Sequence, residues 1–401
     1  MTVSRIDNMD IFSTDKSTCS ELLTEILFIC LFIALLHSSV IGKPLIQKSD
    51  AYHLYCINRH RTAEILKNFE YPVWDSYRYG GVPWQAGIGV ISVWNLPYFF
   101  FSVDAAATLV NYLQIFFLMW GFCRLLRIWK VSVVVACIFS TMFMCTGPVM
   151  FFYGYSPVMN GFITFIWSVV ALHTYDRRGD QKYLFAFFAL TALHFLDMSY
   201  HHSVAFCVYI FFDRLVYGRH SQGLKQGVLL PYLAGLLGFA AASLNWIPQV
   251  RALLLTVRIG LKYNDTFLFA PLQFLTGTLW GWAKGTASYP PLYLYLNCIL
   301  IILFIPNVLP KYRNSRDLRF YGLVTGVVLL HLLPGYPFGF MFPSLTGYDP
   351  FRLNVLLSIV LSVNAAKLTQ RILSEPESSR GLGIVMMSCI VAATVLGKVL
   401  G

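Results

Sequence analysis

Charge is what this sequence has least of. Asp, Glu, Lys and Arg together make up 12% of its residues, against roughly 25% in an ordinary soluble domain. Acidic residues are the scarcer sign, 19 against 30 Lys and Arg. With 57% hydrophobic residues beside so little charge, the chain reads as an integral membrane protein rather than a solvated domain. Clustered cysteine is also missing. The nine cysteines are scattered, most of them inside apolar runs, and no CxxC occurs, which excludes a disulfide framework and a cysteine-based metal site. Phosphate-binding P-loops, HExxH and GxSxG are absent, and Gly87-Ile-Gly89 lacks the third glycine of a dinucleotide fingerprint. There is no fixed-period repeat, low-complexity tract or soluble domain. The N-terminus has neither a short basic region nor a small-residue cleavage site, so the first apolar span reads as an uncleaved anchor.

What is present is a succession of apolar runs. A bilayer core takes about 20 helical residues. On that basis spans are expected at Leu22–Gly42, Asp104–Cys123, Val131–Met150, Val158–Tyr175, Tyr183–Met198, His202–Tyr217, Gln226–Trp246, Pro291–Pro310, Phe320–Tyr336, Phe351–Gln370 and Gly381–Leu400. The expected fold is all-α, a polytopic transmembrane bundle of about 11 helices forming a single domain over residues 1–401. The fifth and sixth spans are short enough to form a hairpin that barely crosses. Ile88–Ser102 contains Asn95 and Pro97, so an interfacial or re-entrant helix is expected there.

The net charge of +11 does not point to nucleic acid, because the basic residues fall mostly in short connectors between apolar runs. Five clusters stand out: Arg124/Arg127/Lys130, Arg177/Arg178/Lys182, Arg214/Arg219/Lys225, Lys311/Arg313/Arg316/Arg319 and Lys367/Arg371/Arg380. Eleven helices put all five on one side, which the positive-inside rule makes cytoplasmic, together with the N-terminus. The long polar loops 43–87, 248–290 and 334–350 then face outward. Loops of that length in a membrane bundle are where function is expected. The location expected is a bacterial inner (plasma) membrane.

The first of those loops is the most polar part of the chain. Ser49 and Asp50 are suitable N-caps for a helix running to about Phe69. Asp50, His53, Ile57, His60 and Glu64 follow one another at spacings of three and four, which places four ionisable groups on one stripe of that helix. Ala51, Leu54, Tyr55, Asn58, Thr62, Ile65, Leu66 and Phe69 form a mainly apolar face. An amphipathic helix lying along the membrane surface is expected. Asp50 is readable as a simple cap, and Asp50, His53, His60 and Glu64 also suit a divalent ion by type and spacing. An aromatic, Gly- and Pro-rich segment follows, Glu70-Tyr-Pro-Val-Trp-Asp75 and then Gly80-Gly-Val-Pro-Trp84. A second polar group, Asp197, His201 and His202, falls at the outer end of the fifth and sixth spans, readable as an interfacial turn or as part of a site. His194, His331 and Asp213 read as packing or helix-end groups.

An Asp directly after the first span, a following amphipathic helix and a Glu-x-Pro-x-Trp…Gly-x-Pro loop resemble the first outer loop of GT-C-type membrane glycosyltransferases, in particular the YfhO-type and 6-pyruvoyl-tetrahydropterin-synthase-related membrane proteins. Asp50, His53, Glu70, Pro72, Trp74, Gly81 and Pro83 carry the match. Trp246-Ile-Pro248, Thr256-Val-Arg258, Phe269-Ala-Pro271 and Tyr348-Asp-Pro-Phe-Arg352 extend it over most of the chain. The resemblance implies transfer of a sugar from a polyprenyl-phosphate-linked donor to a lipid, glycan or protein acceptor on the extracytoplasmic face. Asp50 would be the acceptor-side base, with Glu64 and Asp75 as alternates. Arg352, Arg258 and Arg251 would grip the leaving phosphate, Arg being suited to bidentate phosphate contact. His53, His60, Asp197, His201 and His202 would be further polar residues of the site. A divalent cation, Mg or Mn, is used by some members, and Asp50 and His53 are where it would bind. The chain has no Asp-x-Asp in this loop and no soluble C-terminal domain. Two other readings therefore stand beside the transferase: a transporter or flippase for a lipid or lipid-linked glycan, and a non-catalytic assembly factor for cell-envelope glycans. The lipid bilayer is a partner in each, and nucleic acid in none.

Overall fold

Long apolar runs with few charges satisfy their backbone groups within one segment, so helices dominate. The computed structural model describes residues 19–40, 56–69, 74–75, 82–83, 92–151, 156–197, 200–243, 247, 315–332 and 354–374. In these the chain forms α1 (Cys19–Val40), α2 (Ile57–Lys67), a two-residue antiparallel ladder of β1 (Trp74–Asp75) and β2 (Val82–Pro83), and a 3-10 helix over Val93–Phe99. There follow α3 (Val103–Ile128), α4 (Val133–Met144), α5 (Gly147–Phe151), α6 (Ser156–Arg178), α7 (Gln181–Asp197), α8 (Tyr200–Asp213), α9 (Arg219–Leu224), α10 (Leu230–Ala241), α11 (Ser315–Leu332) and α12 (Asn354–Ser374). π-helical turns at Arg214–Gly218 and Lys225–Leu229 flank α9.

Five helical segments among the described residues are long and apolar enough to cross a membrane: Cys19–Leu36, Val103–Ile128, Pro157–Arg178, Gln222–Ala241 and Val355–Ser374. The expected spans at Pro291–Pro310 and Gly381–Leu400 lie outside the described residues. Val131–Met150 is broken into α4 and α5 at Cys145-Thr146. The non-spanning helix expected within Ile88–Ser102 is the 3-10 segment. Pro97 sits inside it, and Ser92 caps it by accepting the backbone N–H of Trp94 at 3.2 Å.

α6 is the central helix, 83% of its span being buried, and it packs along α3 and α7. Trp167 of α6 donates to the Phe117 carbonyl of α3 at 3.0 Å, and Phe165 meets Phe206 and Tyr209 of α8 edge-on. Close approach relies on small residues, as in other membrane bundles. A Cβ on Gly238 of α10 would lie 2.7 Å from the Phe188 carbonyl oxygen of α7. α1 is peripheral, with 11% of its span buried. Glu21 and Glu25 pair with Arg127 and Arg124 of α3 at 2.8 and 3.0 Å, while Leu23, Leu27, Leu31 and Leu35 form an exposed stripe. Four leucines at a spacing of four are what a lipid-facing helix surface presents.

Those ion pairs bring the start of α1 to the end of α3. The rest of that end of the bundle is built from the same sort of contact. Arg214 donates from one terminal nitrogen to both oxygens of Asp176 at 2.9 Å, and from Nε to Asp213 at 3.0 Å. The His173 ring nitrogen Nε2 lies 3.0 Å from Asp213. Beside them Tyr217 donates to Asp317 at 2.7 Å, Lys367 also pairs with Asp317, and the Lys367 ammonium lies 4.1 Å from the centre of the Trp129 ring. These contacts join the ends of α3, α6, α8 and α12 to the start of α11. Arg124, Arg127, Arg214 and Lys367, members of three of the five basic clusters, thus gather at one end of the bundle.

Candidate functional site

The opposite end carries the first loop. α2 turns Asn58, Arg59, Thr62 and Ala63 inward, a face set by spacings of one, three and four. Arg59 is the exceptional member, a guanidinium with 1% exposure. One of its terminal nitrogens donates to Asn95 at 2.7 Å, and the other to both Asp197 oxygens at 2.9 and 3.1 Å. Asp197 is the last residue of α7 and is itself 1% exposed. It also accepts from Ser92 at 2.6 Å. Three separate stretches of chain therefore meet on one carboxylate.

The desolvation of two such charges is offset only by good geometry and by further hydrogen bonds. Here one terminal nitrogen of Arg59 contacts both Asp197 oxygens, the other donates to Asn95, and Ser92 supplies a further bond to the carboxylate. Removing one partner leaves the other buried and unpaired. The fixed fork of the guanidinium also fixes the rotation of α2 about its axis, since one residue of slip moves Arg59 by about 100°.

Polar contacts continue inward from this junction. Trp94 donates to Asn160 of α6 at 2.6 Å. Thr164, one turn further along α6, lies 2.9 Å from Nδ1 of His194, which is one turn before Asp197 on α7. The Thr164 hydroxyl proton is committed to the Asn160 carbonyl at 2.9 Å, so the hydroxyl oxygen accepts from His194 Nδ1–H. That assigns the Nδ1–H tautomer from the network. His194 is thus a fully buried packing group, stacked on Phe206 with ring centres 4.4 Å apart.

At the start of α2, Cys56 is buried beside Tyr98 of the 3-10 helix, and burial pushes its thiol above the usual range. A raised, enclosed thiol is a poor nucleophile. Glu64 and Lys67 lie on the outward face and pair at 2.6 Å, and the hydrogen bond from Lys67 holds the Glu64 carboxyl below its usual range.

The other expected site residues are distributed as follows. Asp197 is drawn into the pair with Arg59. His60 is half-buried on α2. Asp75 lies in β1, paired in register with Val82. His201 and His202 fall in the first turn of α8. Asp50, His53, Arg251, Arg258 and Arg352 lie outside the described residues, and so does the expected start of the amphipathic helix. The end of that helix, Lys67, matches the expectation to two residues. Its buried face is more polar than expected. Asn58 and Thr62 are buried, Ile65 and Leu66 are half-buried, and Phe69 is fully exposed just past the helix end. Among the described residues no three His, Cys, Asp or Glu side chains converge as metal ligands.

Arg59 is the site residue that the spacing analysis passed over. It lies off the Asp50–Glu64 stripe, and its signal is indirect: an Asp at the end of an apolar helix needs a cation from elsewhere. No protein-family model matches the chain, and no curated protein does.

Proposed function

We propose that this protein is a membrane glycosyltransferase of the GT-C type, moving a sugar from a polyprenyl-phosphate donor to a lipid, glycan or protein acceptor on the extracytoplasmic face of a bacterial plasma membrane. The supporting observation is the docking of the first-loop helix. Through Arg59 and Asp197 that loop is held on the bundle at the end away from the paired basic residues. α2, anchored there, belongs to the same loop in sequence as Asp50 and the Glu70–Asp75 segment, and an outer membrane face is where a lipid-linked donor presents its sugar. The resemblance of this loop to the GT-C first outer loop gives the chemistry.

In that chemistry the acceptor hydroxyl attacks the anomeric carbon and passes its proton to the Asp50 carboxylate. The bond from that carbon to the phosphate oxygen breaks, and the phosphate leaves with the electron pair. Negative charge grows on the phosphate as the bond lengthens, so cationic groups fixed around it act most strongly in the transition state. Arg352, Arg258 and Arg251 take that role. A divalent cation would add to the same stabilisation, with Asp50 and His53 as its ligands. The described residues offer no such donor set, and the steps above use protein groups alone.

The test is a proteoliposome assay with a panel of polyprenyl-phosphate sugars. Wild type is expected to transfer from at least one donor, and Asp50→Asn to lose about 100-fold or more in rate, as for loss of a general base. An unimpaired Asp50→Asn variant removes the assignment of the base. A wild type that turns over no donor but moves lipid-linked sugar across the bilayer replaces the transferase with a transporter.

A further inference from the structure

The sequence assigns Asp197 to the site on the grounds of an ionisable group at membrane depth, and the coordinates give it a more specific task. We propose that Arg59 and Asp197 form a latch that sets the register of the first outer loop on the bundle, so that Asp197 is a positioning residue for the acceptor-side base. This rests on the transferase reading for its catalytic consequence, and on geometry alone for the latch.

First, the pair bridges residues far apart in sequence and nearly excluded from solvent: α2 of the first loop supplies the guanidinium, and the end of α7 the carboxylate. Second, the carboxylate has a partner besides Arg59, because Ser92 donates to Oδ2 at 2.6 Å, while Asn95 takes the other Arg59 nitrogen at 2.7 Å. The receptor for Arg59 is therefore a fork assembled from α7 and the stretch that leads into α3. Third, a guanidinium held through two terminal nitrogens on two acceptors, Asp197 and Asn95, restricts the rotation of its helix, and Lys could not replace it because an ammonium is a point charge. Asp50 lies nine residues before Arg59 in the sequence, and the catalytic consequence of the latch rests on that short connection. Both terminal nitrogens of Arg59 are engaged within the protein, so Arg59 is not counted among the phosphate ligands.

Cys56 reports on the latch. It lies one turn before Arg59 and is buried at 4% exposure. A thiol-directed maleimide reaches it only when α2 leaves the bundle. The experiment follows Cys56 modification by peptide mass spectrometry, with sugar transfer, on the full chain in proteoliposomes. Wild-type Cys56 is expected to be protected. Asp197→Ala and Arg59→Ala should each label about tenfold faster or more, since an unpaired buried charge drives local opening. Ser92→Ala, which keeps both charges, should accelerate labelling less and covers the case in which the charge deletions do not fold. Turnover should fall about tenfold in the single variants with donor KM within about twofold of wild type, because the donor grip is untouched. The apolar pair Arg59→Met with Asp197→Leu should restore both Cys56 protection and turnover.

Protection of Cys56 in folded Asp197→Ala and Arg59→Ala overturns the latch. Protection restored by the apolar pair without turnover overturns the positioning role, because the charges would then act in the chemistry itself. If wild type transfers no sugar, the transferase reading fails, and the labelling arm still decides the latch.

Discussion

Arg214→Ala is expected to remove about 3–5 kcal/mol of stability, the usual consequence of breaking a buried ion pair from one side. The side chain is fully buried at the start of a π-helical turn and binds two carboxylates from two elements, Asp176 of α6 and Asp213 of α8. Deleting it leaves both acids enclosed, with the His173 imidazole as the nearest basic group. Arg214→Lys should fall between wild type and Ala, because a single ammonium cannot match two carboxylates in the fork geometry. Thermal unfolding of the purified protein in detergent, followed with a thiol-reactive dye, measures the series. An Arg214→Ala midpoint equal to wild type would show that the cluster contributes nothing net.

A comparable loss is expected from a single methyl group four residues on. The π turns at Arg214–Gly218 and Lys225–Leu229 meet through two glycines. A Cβ on Gly218 would lie 2.1 Å from the Gly227 carbonyl oxygen, and a Cβ on Gly227 1.9 Å from the Gly218 oxygen. Ordinary overpacking costs about 1–3 kcal/mol because side chains give way. Here the obstacle is backbone on both sides, so Gly218→Ala and Gly227→Ala are each expected at or above the top of that range. The same Cβ on Gly218 would come within 3.3 Å of an Arg214 terminal nitrogen, which ties the two effects together. Gly223 between them gives the control. It has φ of 76° and nothing within 4 Å of a built Cβ. Gly223→Ala should therefore show only the penalty of an L side chain at φ 76°, ψ −178°, about 1–3 kcal/mol. Equal losses at all three glycines would mean that backbone conformation, and not the close approach, governs this segment.

Helices were legible in this chain because one physical requirement produces them. Each crossing needs a long apolar run, and α1, α3, α6 and α12 lie within a few residues of where those runs were read. Basic connectors were legible for a similar reason. Arg124, Arg214 and Lys367 stand at related points of alternate helices and meet at one end. The pairings were not legible. Arg59 and Asp197 are separated by 138 residues, and Tyr217 and Asp317 by 100. A solitary charge in an apolar run states that it needs a partner, and the run holds nothing to say which. Register was lost for the same reason. The stripe from Asp50 to Glu64 meets α2's outward side at Glu64, with His60 half-buried, while the buried side is chosen by Asp197, a residue of another helix. The broken span at Cys145-Thr146 and the two π turns depend on packing between neighbours, which periodicity does not encode.

The central claim is that the docked first loop and the basic connectors occupy opposite faces of the membrane, with the first loop outside. Two positions with solvent-accessible side chains test it directly, Glu64 on α2 and Asp180 in the connector between α6 and α7. Each would be changed to cysteine in a background with the nine native cysteines replaced, and labelled in intact cells with a membrane-impermeant maleimide. Glu64→Cys should label in intact cells, and Asp180→Cys only after the membrane is permeabilised. Labelling of both positions from the same side would contradict the account.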